Sequence, residues 1–237
     1  MANPLYDTLF APLAARRTVL MQLPDGREIT GAAFHDRIAQ AARGLQAAGV
    51  RPGDRVAVQI SKSPEALAIY AATVSIGAVF LPLNTAYTPE EIGYFLGNAG
   101  PALFLCDPGR AAAMAGVATA HGVVIETLDG AGAGSFADRM AAQPTTFAPV
   151  DRAPGDLAAI LYTSGTTGRS KGAMLSHDNL LSNAKVLAKL WRFTERDVLL
   201  HALPIFHTHG LFVASNVSLL TGGQMIFLPG FDLEQVL

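Results

Sequence analysis

One run, Ala159-Ile-Leu-Tyr-Thr-Ser-Gly-Thr-Thr-Gly-Arg-Ser-Lys-Gly-Ala-Met-Leu175, constrains this chain more than any other stretch. A short apolar segment from Ala158 to Tyr162, the pattern of a strand buried on both faces, stops abruptly at small and hydroxyl-bearing residues. Thr163, Ser164, Thr166 and Thr167 supply hydroxyl donors. Gly165 and Gly168 let backbone N–H groups approach an anion without a Cβ in the way, and Lys171 adds a compact positive charge. Such a composition suits a polyphosphate. The spacing is not that of a Walker loop, whose lysine directly follows the last glycine and whose loop opens a helix. Here Arg169 and Ser170 intervene, and Ala173 to Ser176 reads as another strand. A strand-loop-strand frame puts no helix N-terminus behind the phosphates, so hydroxyls, loop amides and the lysine have to hold them. The bland alternative is a Gly/Ser/Thr hairpin between two buried strands.

Upstream of this run, helix and strand signals alternate. Thr30 predicts a cap for a helix with Phe34, Ile38, Ala41, Leu45 and Ala48 on its apolar face, ended by Gly49, and Arg55 to Ile60 follows as a strand. Ser63-Pro64-Glu65 starts a second helix, which leads to Gly77 and a strand over Ala78 to Leu81. Thr88-Pro89-Glu90-Glu91 forms a capping box for a third helix that ends near Gly97 and Asn98, with a strand over Ala102 to Cys106 after it. A helix over about Pro108 to Ala120 and a strand over Val123 to Glu126 complete the series. Helices joining short apolar strands imply crossover connections, and hence an α/β fold with largely parallel sheets flanked by helices. Residues Thr127 to Gly155 are rich in Gly, Ala and Pro with weak periodicity, and Gly130 to Gly134 inside them read as a surface connection. The expected division is a first α/β part over 1–155, then the phosphate-loop strand pair and the start of a second part over 156–237.

Downstream, Ser176 predicts a cap for a helix carrying Leu180, Ala184, Leu187 and Trp191 on one face. The second informative stretch is Leu199-Leu-His-Ala-Leu-Pro-Ile-Phe-His-Thr-His-Gly-Leu-Phe-Val-Ala214: a strand ending at Pro204, a loop with His207 and His209, and an apolar helix from Gly210 to about Leu220. Loops at the carboxyl ends of parallel strands are where such sheets bind ligands. His201, His207 and His209 invite a zinc reading, but no Cys or carboxylate stands at ligand spacing, and histidines bonded to backbone in a core corner are the plainer alternative.

Tyr162-Thr-Ser-Gly-Thr-Thr-Gly-Arg-Ser-Lys-Gly172 resembles the signature loop of the adenylate-forming enzymes, the superfamily of acyl-CoA synthetases, peptide-synthetase adenylation domains and firefly luciferases. Ser170 departs from the commoner Pro-Lys-Gly ending, while the hydroxyls, the glycines and Lys171 all stand. Asp156 to Phe231 looks most similar to the malonyl-CoA synthetase branch, and the chain matches the superfamily's N-terminal half. The resemblance implies ATP-dependent activation of a small-molecule carboxylate through an acyl-adenylate, with transfer to CoA and Mg²⁺ accompanying the ATP. It assigns phosphate binding to Thr163, Ser164, Gly165, Thr166, Thr167, Gly168 and Lys171, catalysis to Lys171, Thr167 and His207, and acyl-substrate contact to His207. It also places the adenine, ribose and magnesium motifs and a C-terminal domain beyond residue 237, so a fragment of 1–237 is expected to be inactive. Asp232 and Gln235 agree, since they look like the start of a helix with only five residues after its cap.

Composition bounds the partners. A net charge of -2, with 15% charged residues and no basic run, argues against nucleic acid. The single cysteine, Cys106, sits in an apolar run and reads as a buried structural thiol, and with no charged leader at the start a reducing cytoplasm fits. Ala66 to Leu83 and Val198 to Phe231 lack Asp, Glu, Lys and Arg, but their glycines, prolines and histidines make them soluble core rather than membrane spans. Oligomeric state is not readable. Two other classes stay open beside the ligase: a phosphotransferase with a variant phosphate loop, and a non-catalytic nucleotide-binding fragment. Within the ligase class, the resemblance of the Leu203 to Ala214 run to the malonyl-CoA synthetases makes malonate the expected acid, with another short or medium carboxylic acid as the alternative.

Overall fold

The computed structural model describes residues 2–163 and 170–236. A π-helical turn (Tyr6–Phe10) and a 3-10 turn (Ala11–Ala15) come first, then a hairpin of β1 (Val19–Gln22) and β2 (Glu28–Thr30). None of these was signalled by a cap or a periodic run. Thr30 closes β2 and caps α1 (Gly31–Ala47), accepting from the Ala33 N–H at 3.2 Å, and Gly49, with φ +91°, turns the chain out of the helix. β3 (Arg55–Gln59) leads to α2 (Pro64–Ser75), capped by Ser63, and β4 (Val79–Pro82) leads to α3 (Pro89–Ala99), which carries the full Thr88–Glu91 capping box. α3 ends at Ala99, one residue past the Gly97–Asn98 end that the sequence suggested. Gly97 lies where a Cβ would meet the His121 ring at 2.9 Å, so it serves close packing, while Gly100, at φ +54°, is the left-handed cap.

β5 (Leu103–Cys106), a short turn and α4 (Ala111–Ala120), then β6 (Val124–Thr127) follow as the alternation implied. After the Gly130 to Gly134 connection, the weakly periodic stretch contains α5 (Ser135–Ala141), whose Phe136 and Met140 are buried beside Gly44 of α1. Its seven residues are too few for a periodic pattern to stand out. β7 (Leu157–Thr163) and β8 (Lys171–Ser176) form an antiparallel pair. β7 is buried only at Ala158 and Ala159, and its outer end is half-exposed because β8 is the sheet's exposed edge. α6 (His177–Trp191) starts on a Ser176–Asn179 capping box and buries Leu180 and Ala184, but Trp191, expected on that face, is 53% exposed. β9 (Val198–His201), a π-helical turn (His209–Ser215), α7 (Asn216–Thr221), β10 (Gln224–Phe227) and α8 (Leu233–Val236) complete the order.

Among the described residues the strands make two sheets: β6-β5-β3-β4-β7-β8, parallel except for β8, and β2-β1-β10-β9, parallel except for β2. Both take strands from either side of residue 155. α2 carries no charged residue after Glu65 and is buried along its whole length, which explains a charge-poor run without a bilayer. Among the described residues no helix is long and apolar enough to cross a membrane. Cys106 is fully buried, and burial first, then Asp107, pushes its thiol up to about 11, which leaves it no thiolate character.

Candidate active site

The β7–β8 register sets Thr163 opposite Lys171 and Tyr162 opposite Gly172. Ser164, Gly165, Thr166, Thr167 and Gly168 lie outside the described residues; Thr163 and Lys171, both exposed, stand at the two rims of that loop. Aromatic packing from α3 braces the rims. The Tyr162 ring lies 4.6 Å from Phe95 and 6.3 Å from Tyr94, and its hydroxyl donates to Asn98 Oδ1. The Tyr94 hydroxyl donates to the Ser170 carbonyl at 2.7 Å, one residue before Lys171. Gly172 admits the close approach, since a Cβ there would come within 2.9 Å of Ile160. The ammonium is thus delivered from a pinned strand, across from a threonine hydroxyl.

His207 sits on the turn between β9 and the π-helical turn. It is exposed, its ring packs 4.7 Å from Phe206, and its carbonyl accepts from the Leu211 N–H at 3.0 Å. Ile205 and Phe206 meet Val58, Ile60, Phe80 and Pro82, at the carboxyl ends of β3 and β4. β7 runs parallel to β4, with Phe80 paired to Ala159, so Thr163 ends at the same edge of the sheet. Two of the sequence-selected features therefore share one edge: the loop rims and the histidine turn. His209 stands apart, in an apolar groove of about 200 Å³ with Trp191, Phe193 and Leu203.

His201 is interior, 1% exposed. Its imidazole is held near 4 by burial first and then by the Lys62 charge, so it is neutral at physiological pH. Lys62, just before the α2 cap, is 9% exposed, and burial lowers its ammonium to about 7. Its Nζ donates to the His201 carbonyl at 2.6 Å and lies 2.9 Å from His201 Nδ1. Sequence reasoning missed Lys62 because a lysine before a helix cap is ordinary and its partner is 139 residues away. Among the described residues no group of three or more His, Cys, Asp or Glu side chains could hold a metal ion.

The AMP-binding enzyme family matches residues 11–237. The chain is 36% identical to oxalate–CoA ligase of Arabidopsis thaliana over 94% of this chain and 45% of that enzyme. It is 35% identical to feruloyl-CoA synthase of an Amycolatopsis species over 90% of this chain and 41% of that enzyme. Among solved structures, MatB from Rhodopseudomonas palustris, apo and ATP-bound, superposes with a TM-score of 0.95 at 51% identity, covering 100% of this chain and 47% of that one. The chain thus spans less than half the length of each.

Proposed function

This chain belongs to the AMP-binding enzyme family, and on that basis we propose that the whole protein is an AMP-forming carboxylate–CoA ligase. The substrate carboxylate attacks the α-phosphorus of ATP, pyrophosphate leaves, and the CoA thiol then displaces AMP from the acyl-adenylate to give the thioester. The observation that carries this reading is the β7–β8 pair, which presents Thr163 and Lys171 across the rims of a hydroxyl- and glycine-rich loop. Bringing one anion onto another is the barrier to the first step. Donors that neutralise the leaving pyrophosphate lower it, as does holding the carboxylate in line. We assign the phosphate role to Lys171, Thr163 and the loop residues Ser164, Gly165, Thr166, Thr167 and Gly168, and orientation of the carboxylate to His207. Residues 1–237 form part of an N-terminal domain on this reading, with the adenine and magnesium motifs elsewhere in the protein, which works in the cytoplasm.

Malonate is the proposed acid. Its support is the 51% identity to MatB, a malonyl-CoA synthetase, over the whole of this chain. The relatives named for oxalate and ferulate favour a second reading, a ligase for another carboxylic acid on the same site. The test is single-turnover adenylate formation by the full-length enzyme with malonate, methylmalonate, oxalate, ferulate and octanoate. Adenylation with malonate or methylmalonate alone is expected; adenylation only with a different acid would discard malonate and keep the mechanism. Lys171→Ala and Thr167→Ala are each expected to slow the step by about 10²-fold. Unchanged rates in both variants would remove the loop from the chemistry.

A further inference from the structure

We infer that Lys62 and His201 are positioning residues for the turn that carries His207, an inference that rests on the role assigned to His207 above. A carbonyl oxygen only accepts, so the His201 ring proton resides on Nε2, facing Gly210, and Nδ1 accepts from Lys62. Nε2 lies 2.9 Å from the Gly210 carbonyl and 3.0 Å from Ser215 Oγ, and the Ser215 hydroxyl itself donates to the Gly210 carbonyl at 2.9 Å. One chain of hydrogen bonds therefore runs from the segment after β3, through the last residue of β9, to the start of the π-helical turn. It fixes His201 and Gly210, the two ends of the turn that includes His207. Across the base of that turn Gly210 packs against the Pro204 carbonyl, with no room for a Cβ.

His207 itself is exposed, with its ring packed beside Phe206, and the turn that carries it is held by these anchors. None of the ion pairs among the described residues includes Lys62, whose Nζ instead lies 4.4 Å from the centroid of the Phe227 ring. Burying an ammonium without a carboxylate is costly, and an apolar pair would fill the space more cheaply. What the ammonium adds is direction: two donors that set the His201 carbonyl and ring at once. A cavity of about 140 Å³, lined by Lys62, Ser61, Thr85 and Pro204 to Phe206, leaves the turn room to shift if the anchor is lost.

The test is a double-mutant cycle on the full-length enzyme, with Lys62→Met, His207→Ala and the pair, reading kcat/KM for the carboxylate, KM for ATP and the melting temperature. Lys62→Met alone is expected to lower the carboxylate kcat/KM by about tenfold or more, with KM for ATP held within about twofold. In the His207→Ala background the same change should cost almost nothing, because the lysine acts through the histidine. An equal loss in both backgrounds, or no loss in the first, overturns the inference and leaves the proposed function intact. No effect of His207→Ala alone overturns both the inference and the role given to His207. If Lys62→Met does not fold, Lys62→Arg, which keeps the charge but not the compact donor geometry, is put through the same cycle with the same expected non-additivity.

Discussion

Gly210 leaves no space for a side chain, since any Cβ there would run into the Pro204 carbonyl oxygen, an atom of the backbone that cannot rotate away. Gly210→Ala is therefore expected to cost about 1–3 kcal/mol of stability and to displace the histidine turn, read as a lowered melting temperature together with a raised KM for the carboxylate. Two buried imidazoles set the acid side of the stability curve. His177, fully buried with neither ring nitrogen partnered among the described residues, is held near 4 by burial first and the Arg152 charge second, with Asp156 opposing; His201 is held near 4 by burial and Lys62. An unfolded histidine titrates near 6.5, so between pH 6.5 and 4 the unfolded chain binds the extra protons. The contribution of the two rings is then full above pH 6.5 and falls as the pH drops toward 4, by on the order of 1 kcal/mol per pH unit for each group. Lys62, at about 7, is protonated in both states below pH 6 and adds no slope there. Urea unfolding at pH 7.5, 6 and 5 measures this, and a flat profile would contradict the burial of the two rings. From sequence, His207 stood out by its neighbours in the chain. Lys62 did not, because its significance lies wholly in a contact with a residue far along the chain.

At the scale of single elements, short-range chemistry made the helix starts legible. Thr30, Ser63, Thr88 and Ser176 all cap as their sequences imply, because a cap bonds a backbone N–H only three residues on. Helix ends and edge positions were less legible. Gly97 looked like a stop, but its place is decided by His121, just past the end of α4, and Trp191 looked buried by spacing although 53% of it is exposed. α3 matters most for the site, since Tyr94 and Phe95 brace both rims of the loop. Thr88→Ala removes its capping box and is expected to lower stability by about 1 kcal/mol. Phe95→Ala is expected to cost about 3–5 kcal/mol and to slow adenylation as well, because Tyr162 loses the ring it packs on. Thermal unfolding and single-turnover assays on the same two variants check both, and a Phe95→Ala enzyme with a normal adenylation rate would detach the aromatic cluster from the loop.

For the whole molecule, the alternation of helix and strand conveyed the α/β class, since parallel strands need crossovers. Strand neighbours were not legible. β1 pairs with β10 across most of the chain, and β7 joins the sheet begun by β3; such pairings follow from which faces remain unburied after the local elements form. Because the chain spans less than half of oxalate–CoA ligase, feruloyl-CoA synthase and MatB, residues 1–237 alone are expected to make no thioester under conditions where the full-length enzyme does. Thioester formed by that fragment would show that the remaining motifs are dispensable. The central claim is that the carboxylate oxygen attacks the α-phosphorus, and ¹⁸O transfer tests it most directly. The full-length enzyme is run with ATP, CoA and the preferred acid labelled in both carboxylate oxygens. One ¹⁸O per turnover in AMP, with none in the pyrophosphate, is the expected result, because AMP leaves with the bridging oxygen of the acyl-adenylate. Label in inorganic phosphate, with ADP as the nucleotide product, would mean that the γ-phosphorus is the point of attack and would contradict the account.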